Sequence, residues 1–300
     1  MPSRVGQPRI IGREGVRQNM SLARCFETYF DVVPADTPEL VREAYRLRHQ
    51  VYCVENDFEP PERNPNGLEI DAYDGRSIHS LLYFKPGRRF IGTVRLVLPD
   101  PRQPQRSFPL QHVCGARLPA IDDAAEISRF CISREQRRPP AAAMTRPTAL
   151  SADGDAPAFS RSVDGGRHVL SYAALGLMRG LVEMSVARDV RHWCVLAAPA
   201  LLRFLAGFGI RLDPVGPAVE FHGPRVPCYS NLRHVLSMVR PVRPDVWRIL
   251  TDGGRLTAVD GSAASPGKRR QPGDRHDPPA GARFWPGEAS PSIGTHSHYT

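Results

Sequence analysis

The segment DAAEISRFCISREQRR, residues 123–138, places charged side chains inside a pattern that otherwise predicts a buried strand. Ile127 and Phe130 supply apolar side chains, whereas Glu126 and Arg129 lie among them. An unpaired buried charge is costly, so such residues are usually paired, exposed or part of a site. Because side chains alternate along a strand, residues 126 and 129 should point to opposite faces of a sheet unless a bulge intervenes.

Six charged residues stand out by their context, three acids and three arginines: Arg48, Asp71, Asp74, Arg95, Glu126 and Arg129. Two interpretations fit this set. Arginine and carboxylate side chains near strand ends often form plain ion pairs that only hold a scaffold together. The same residues converging on a cleft would bind or orient a charged substrate. Spacing alone leaves both interpretations open.

Other chemistries receive less support. The loop LEIDAYDG spaces its acids as E-x-D-x-x-D, without the ligand ladder and closing Glu of an EF-hand, so we predict no metal site. No G-x-S-x-G motif is present, and Cys131 has no evident histidine partner, which disfavours covalent catalysis. His222, within EFHGPRVP, stays open as a site residue. Packing or surface positions account for four other histidines: His49, His79, His192 and His234.

Composition bounds the class of protein. The chain has 300 residues, of which 41% are apolar, enough for a real core in one or two domains. Its formal net charge of +9 favours an acidic or phosphorylated partner, although a GC-rich genome would also raise the arginine count. Zinc-finger, basic-zipper and RNA-binding signatures are missing, so we predict no nucleic-acid partner. The 6 cysteines form no C-x-x-C pair, which indicates reduced thiols and a cytoplasmic protein.

The periodicity of the first half predicts alternating elements. CFETYFDVVPAD predicts a first strand, and DTPELVREAYRLRHQVYCVEN predicts a helix with an Asp/Thr cap and Pro38 in its first turn. SIHSLLYF and RFIGTVRLVLP predict a hairpin, and residues 124–133 the next strand. An apolar stripe is expected along the first helix: Leu40, Ala44, Leu47, Val51 and Val54.

The second half predicts helix, strand, helix and strand. These elements are HVLSYAALGLMRGLVEMSVARD, HWCVLAA, PALLRFLAGFG and a return strand, IRLDPVGPAVEFHG. The resulting order β, α, β, β, β, α, β, α, β suits one mixed α/β layer with helices on both faces.

Composition also divides the chain. We predict a flexible basic arm over 1–24, a domain over 25–250 with a disordered insertion at 139–166, and a disordered tail over 251–300. Arg179 and Glu183 interrupt the longest apolar stretch, so no transmembrane segment is expected, and the N-terminus has no signal-peptide pattern.

Four segments, in this order, resemble a known group of enzymes: LRHQVYCVENDFE, LEIDAYD, GTVRLVLP and AEISRFCIS. They are similar to acyl-homoserine lactone (autoinducer) synthases and the related long-chain N-acyl amino acid synthases, which have the GCN5-related N-acetyltransferase (GNAT) fold. That similarity spans roughly residues 25–135. A further resemblance, to the acyltransferase family associated with the PEP-CTERM/exosortase system, adds FPL, SRFCISREQRR and GPAVEFHGPRVP and extends to about residue 250.

The resemblance implies a GNAT-like (acyl-CoA N-acyltransferase) mixed central sheet with helices on both faces. Catalytic roles are then expected for Glu126, which would accept the amine proton, and for Arg129. A substrate-binding network is implied at Arg48, Tyr52, Phe58, Asp71, Asp74 and Arg95. Acyl-donor contacts are implied at Phe130, Cys131, Ile132, Arg134, Arg137 and Arg138. Tyr52 and Phe58 depart from the Phe and Trp typical of autoinducer synthases.

The activity implied is transfer of a long-chain acyl group from a thioester to the amine of an amino acid or similar small molecule. The donor is an acyl carrier protein or acyl-CoA, no permanently bound cofactor is expected, and the basic surface favours the acidic carrier protein. Two alternatives remain: an acyl-homoserine lactone synthase that uses S-adenosylmethionine, and a non-catalytic GNAT-like binding or regulatory module. Acyl length, acceptor and oligomeric state stay open.

Overall fold

A seven-stranded mixed sheet organises the chain, with strand order β1-β2-β3-β4-β5-β7-β6. The computed structural model describes residues 21–115, 118, 122–137 and 165–257. Neighbouring strands are antiparallel except β4 and β5, which are parallel. The strands are β1 (Phe30–Pro34), β2 (Ser77–Phe84), β3 (Arg89–Val97), β4 (Ala124–Ile132), β5 (His192–Ala197), β6 (Val219–Glu220) and β7 (Pro224–Asn231).

Helices cover both faces of this sheet. The helix α4 lies along β1 to β4 on one face, and α2 packs on β2, β3 and β4 from the other. The helices are α1 (Leu22–Tyr29), α2 (Pro38–His49), α3 (Pro109–Cys114), α4 (Gly165–Ala187), α5 (Pro199–Ala206), α6 (Leu232–Val242) and α7 (Pro244–Leu250). Within the described ranges, none of them has the length and apolar character that crossing a bilayer requires.

Shorter helical segments complete the described chain. A π-helix, Gln50–Glu55, continues directly from α2. Single 3-10 turns are Pro61–Arg63, Asp74–Arg76, Lys85–Gly87 and Pro104–Arg106, and Asp252–Thr257 follows α7.

The start of α2 forms as the sequence predicts. The Thr37 side chain accepts a hydrogen bond from the Leu40 backbone N–H at 3.3 Å, and Pro38 occupies the first turn. Along the predicted stripe, Ala44 and Leu47 are buried, but Val54 is 56% exposed, so its assignment to the core was wrong. The π-helix explains the difference, because its wider winding changes which residues share a face.

The main core lies between α4 and the sheet, where helix and strand approach closely. A Cβ atom at Gly180 would lie 2.3 Å from Ser80 Oγ, and one at Gly176 would lie 2.4 Å from Leu82 Cδ1. Both glycines are therefore needed for this spacing. The largest side chains of the core include Trp193, which is 1% exposed.

The predicted first strand was wrong at its beginning. Residues Leu22–Tyr29 form α1, capped by the Ser21 side chain, and only Phe30–Pro34 are extended. Leu22, Phe26 and Tyr29 share one helical face, and a short segment can satisfy both periodicities. The predicted arm, 1–24, therefore contains the first turn of α1, while 1–20 lie outside the described residues.

The predicted return strand was also wrong. Within 210–223 the structure has only the two-residue β6 and an isolated bridge between Pro214 and Cys228, and the long antiparallel partner of β5 is β7. Pro214 and Pro217 lack the N–H that a strand ladder needs. The helices α6 and α7 were not predicted. Most of the predicted insertion and tail, 139–164 and 258–300, lie outside the described residues.

Candidate active site

A gap opens in the sheet where β4 and β5 stop pairing. Their parallel register covers only Ala124–Ile127 against His192–Val195. Beyond Ile127, β4 continues to Ile132 paired only with β3, while β5 continues to Ala197 paired with β7. In the described part of the chain, the β5-facing edge of β4 therefore has no strand partner after Ile127. Backbone donors and acceptors on such an edge are available to a ligand.

A β-bulge lies on β4 at the start of this gap. Thr93 pairs with Cys131 and Arg95 with Ser128, so Arg129 and Phe130 both lie opposite one residue of β3. Arg129 has φ of 51°, a left-handed conformation that is unfavourable for a side chain with a Cβ. The bulge directs the Arg129 side chain to the face that also carries Arg95 and Ser128. Residues 126 and 129 thus need not face opposite sides.

Six side chains of alternating charge close a ring of ion pairs on this face, which we call the six-charge ring. In order around the ring they are Arg48, Glu69, Arg129, Asp71, Arg95 and Asp74, and Asp74 returns to Arg48. Each charge contacts two of opposite sign, so the formal charge of the ring is zero. The loop between α2 and β2 supplies the acids, and the helix and two strands supply the arginines.

Asp74 anchors the buried half of the ring. Its carboxylate accepts two parallel hydrogen bonds from Arg48, at 2.6 and 2.9 Å, and one from Arg95 Nη1 at 2.9 Å. Arg48 also donates to Glu69, and Arg95 Nε donates to Ser128 Oγ at 2.9 Å. The guanidinium groups of Arg48 and Arg95 are fully buried. Bidentate hydrogen bonds to carboxylates stabilise buried guanidinium groups, because two parallel N–H groups and the positive charge are satisfied together.

The other half of the ring reaches solvent. Arg129 Nη2 donates to Glu69 Oε1 at 2.7 Å and to Asp71 Oδ2 at 3.0 Å. The side chains of Arg129 and Asp71 are 19% and 24% exposed, whereas Glu69 is 3% exposed. Asp71 and Arg129 therefore form the open edge of the ring, with one negative and one positive group next to the gap.

The ring keeps its acids ionised. Burial alone would raise the pKa of Glu69, but the guanidinium groups of Arg48 and Arg129 outweigh it and lower that pKa to about 2. Burial is likewise outweighed at Asp71, where Arg95 and Arg129 hold the pKa well below its ordinary value. At neutral pH the three carboxylates are charged.

A row of aromatic rings leads away from the open edge. The Arg129 guanidinium lies 5.0 Å from the centre of the Tyr52 ring, and the Tyr52 and Phe58 rings are 6.0 Å apart. Phe58 in turn lies 5.5 Å from the His222 ring, in the turn between β6 and β7. His222, which the sequence left open, is thus at the far end of this row. It contacts the Phe58 ring rather than the charges.

Glu126 lies outside the six-charge ring. It is 2% exposed, and its Oε2 accepts a hydrogen bond from the Leu110 backbone N–H at 2.8 Å. Burial raises its pKa to about 8, although the Leu110 N–H and Arg95 favour the charged form. It precedes Ile127, the last β4 residue paired with β5, so it lies at the closed end of the gap.

Sequence reasoning missed Glu69, which completes the ring. The signal was present, because Glu69 is the first acid of the E-x-D-x-x-D segment that was considered only for calcium. Its hydrogen-bond partners come from a helix and a strand that are distant in the chain. Within the described ranges, no three His, Cys, Asp or Glu side chains gather where they could hold a metal ion.

The residues predicted to contact an acyl donor fall into two groups. Phe130 and Ile132 pack against the main core, and burial raises the pKa of the Cys131 thiol to about 12, so it stays protonated. The second group forms the turn 133–137 after β4, where the Arg134 side chain donates to Asn56 and the Arg137 backbone N–H donates to Ser133. Arg138 lies outside the described residues.

Residues 47–146 match the sequence family described as an acetyltransferase (GNAT) domain. This match covers β2, β3 and β4 and includes all six residues of the six-charge ring. The fold is GNAT-like. A search of curated protein sequences found no match.

Several solved structures resemble the chain at low identity. TofI, in a ternary complex with an inhibitor and MTA, is 18% identical with a TM-score of 0.48, over 70% of this chain and 95% of its own. BjaI, a CoA-dependent acyl-homoserine lactone synthase with MTA, is 19% identical with a TM-score of 0.46, over 76% and 89%. FeeM, an N-acyl amino acid synthase from uncultured soil microbes, is 12% identical with a TM-score of 0.44, over 70% and 94%. The fold assignment rests on the strand order and the family match.

Proposed function

We propose that this protein is an N-acyltransferase, which moves a long-chain acyl group from a thioester to the amine of an amino acid or similar small molecule. The observation that carries the proposal is the coincidence of two features. The open edge of the six-charge ring, Asp71 and Arg129, lies where β4 leaves β5. A charged acceptor and an extended donor can therefore meet at one place.

The open edge suits a zwitterionic acceptor. Arg129 presents a guanidinium group, which pairs well with a carboxylate, and Asp71 presents a carboxylate, which pairs with an ammonium group. Tyr52 and Phe58 would flank the rest of the acceptor. An amino acid and S-adenosylmethionine both have this pair of groups. The open edge therefore supports a zwitterionic acceptor and does not discriminate between these two.

The unpaired edge of β4 suits the donor. A pantetheine arm is extended and carries amides, so it can hydrogen-bond to backbone groups beyond Ile127 as an added strand would. The turn 133–137 would lie at its phosphate end. We assign the donor to the thioesters of acyl carrier protein or coenzyme A, and we place the protein in the cytoplasm, where both occur.

The reaction requires a neutral amine and a stabilised oxyanion. The amine nitrogen attacks the thioester carbonyl carbon, and a free backbone N–H of β4 would donate to the developing oxyanion. Glu126 accepts the proton from nitrogen, directly or through water. The C–S bond then breaks, and the thiolate leaving group takes up a proton. A carboxylate with a pKa near 8 is well matched to deprotonating an amine.

Mass spectrometry of lipid extracts tests this function. Expression of the chain in a host that makes long-chain thioesters should produce N-acyl amino acids, and the Glu126→Gln variant should not. Acyl-homoserine lactone as the product would instead indicate the synthase that uses S-adenosylmethionine. If no thiol is released from acyl carrier protein with any amine tested, the chain is a binding or regulatory module. We further propose that the enzyme is linked to a PEP-CTERM/exosortase system, and the genes beside its own test that link.

A further inference from the structure

The carboxylate of Glu55 fills the turn after β4. Ser133 Oγ donates to it at 2.7 Å, the Arg134 backbone N–H at 2.8 Å and the Glu135 backbone N–H at 3.2 Å. Two consecutive backbone N–H groups and a hydroxyl that converge on one oxyanion form an anion-binding concavity, which we call the cradle. The bound anion belongs to a residue about eighty positions earlier in the chain.

The cradle binds Glu55 in its charged form. Burial opposes ionisation, but the Arg134 N–H and the Ser133 hydroxyl lower the pKa of Glu55 below its ordinary value. Gln50, at the other end of the π-helix, donates to Glu135 at 2.9 Å and holds the turn against that helix. A full negative charge is therefore present where the proposed function places the donor's phosphates.

The Arg134 guanidinium group, beside the cradle, donates to the Asn56 amide oxygen, which is a neutral partner, and not to the Glu55 carboxylate. A diphosphate arriving here would meet the Glu55 carboxylate and would have to displace it or tolerate its repulsion.

We infer that Glu55 selects the acyl donor, because it fills the cradle and disfavours the diphosphate of coenzyme A thioesters. A carrier protein brings only one phosphodiester and binds mainly through its acidic surface. The Glu55 carboxylate therefore lowers its affinity less than that of coenzyme A thioesters. This inference rests on the proposed function and narrows its donor to acyl carrier protein. It makes Glu55 a specificity-determining residue rather than a catalytic one.

The matched variant is Glu55→Gln, which removes the negative charge and keeps one side-chain oxygen that can accept hydrogen bonds from the turn. The control is Glu62→Gln, which removes one negative charge from an exposed residue of the same loop region. Calorimetric titration with coenzyme A should show that Kd falls about tenfold for Glu55→Gln and stays unchanged for Glu62→Gln. Pantetheine, which has no phosphate, should bind both variants and the wild type equally.

Several results would overturn the inference. Unchanged or weaker coenzyme A binding in Glu55→Gln would show that Glu55 only shapes the turn, and so would a shift in pantetheine binding by the same factor. Absence of coenzyme A binding in both the wild type and the variant would also reject the inference. Melting temperatures of the variants, measured in parallel, separate a folding defect from a change in binding.

Steady-state kinetics give the second readout. The ratio of kcat/KM for acyl carrier protein to that for acyl-CoA should fall about tenfold in Glu55→Gln. An unchanged ratio would contradict donor selection. If neither thioester supports transfer in the wild type, the proposed function fails, and the calorimetric titration still decides whether Glu55 opposes coenzyme A.

Discussion

At the scale of single residues, the six-charge ring explains how charged groups survive in a largely buried site. Each guanidinium group contacts two carboxylates, and Glu69 joins Arg48 on α2 to Arg129 on β4. The cost of removing each ion from water is therefore offset by two close partners. Because every member has this double role, loss of one acid leaves two arginines with incomplete pairing.

We expect Glu69→Gln to lower the free energy of unfolding by about 3–5 kcal/mol, because it leaves the fully buried Arg48 and the largely buried Arg129 each short of a carboxylate partner. Urea denaturation at pH 7 measures this. The exposed Glu62→Gln should change stability by less than about 0.5 kcal/mol. Equal effects of the two substitutions would show that the ring contributes nothing beyond surface charge.

The Glu69 contribution should also depend on pH. Its pKa is about 2 in the folded protein against an ordinary value of 4.5, so the unfolded chain binds more protons between these values. Its stabilisation is complete above 4.5 and is lost as pH falls toward 2. The stability difference between wild type and Glu69→Gln should therefore shrink by about 2 kcal/mol between pH 6 and pH 3. A constant difference in urea titrations would contradict the lowered pKa.

Glu126 should set the pH dependence of the rate. With its pKa near 8, the fraction of ionised base rises between pH 7 and 9, so kcat at saturating amine should rise over this interval. Glu126→Gln should lower kcat at least about 100-fold and remove the inflection. A wild-type profile that is flat across pH 7 to 9 would argue against Glu126 as the base.

Stability gives an independent check on Glu126. A carboxyl group whose pKa is raised in the folded state contributes stability below its unfolded pKa, and that contribution is lost as pH rises through 8. The wild type should therefore lose stability relative to Glu126→Gln from pH 6 to pH 9. Thermal or urea unfolding at the two pH values measures the difference.

At the scale of elements, backbone irregularities place the site. The bulge in β4 directs Arg129 toward the ring, and the π-helix after α2 carries both Tyr52 and Glu55. Tyr52 lies beside Arg129 at the open edge of the ring, and Glu55 lies in the turn after β4. A single helical segment thus contacts both halves of the proposed site, which is typical of π-helices at functional positions.

The spacing between α4 and the sheet depends on the missing Cβ atom of Gly180. We expect Gly180→Ala to cost about 1–3 kcal/mol, because the new Cβ would lie 2.3 Å from Ser80 Oγ and force the helix outward. Gly75→Ala is the control, since no atom lies within 4 Å of a Cβ built there. Denaturant titration of both variants measures the effect, and equal stability would contradict the close approach.

At the scale of the whole molecule, the net charge of +9 favours association with an acidic protein. Raising sodium chloride from 50 to 300 mM should raise the KM for acyl carrier protein about tenfold, and that for acyl-CoA less than about threefold. Sucrose at matched osmolality controls for solvent effects. Equal salt responses for the two donors would count against a carrier-protein partner.

Local sequence patterns determined much of the architecture. The helix α2, the hairpin of β2 and β3, and the strands β4 and β5 follow from apolar periodicity, capping and turn residues, all of which act over a few positions. The GNAT-like fold and five of the six ring residues could likewise be predicted from sequence. The segments 22–29 and 210–223 were misassigned, since short segments rich in aromatic residues or proline satisfy more than one pattern.

Only the tertiary structure decided which charges pair. Closure of the ring through Glu69 joins residues that lie 21 and 60 positions apart, and the exclusion of Glu126 depends on its burial beside Leu110. The same holds for the Arg129 bulge and for Glu55 in the cradle. The sequence by itself determined which ionisable groups the site has and which elements carry them. Their partners, ionisation and orientation depend on desolvation and on contacts between distant segments, and these exist only once the chain has folded.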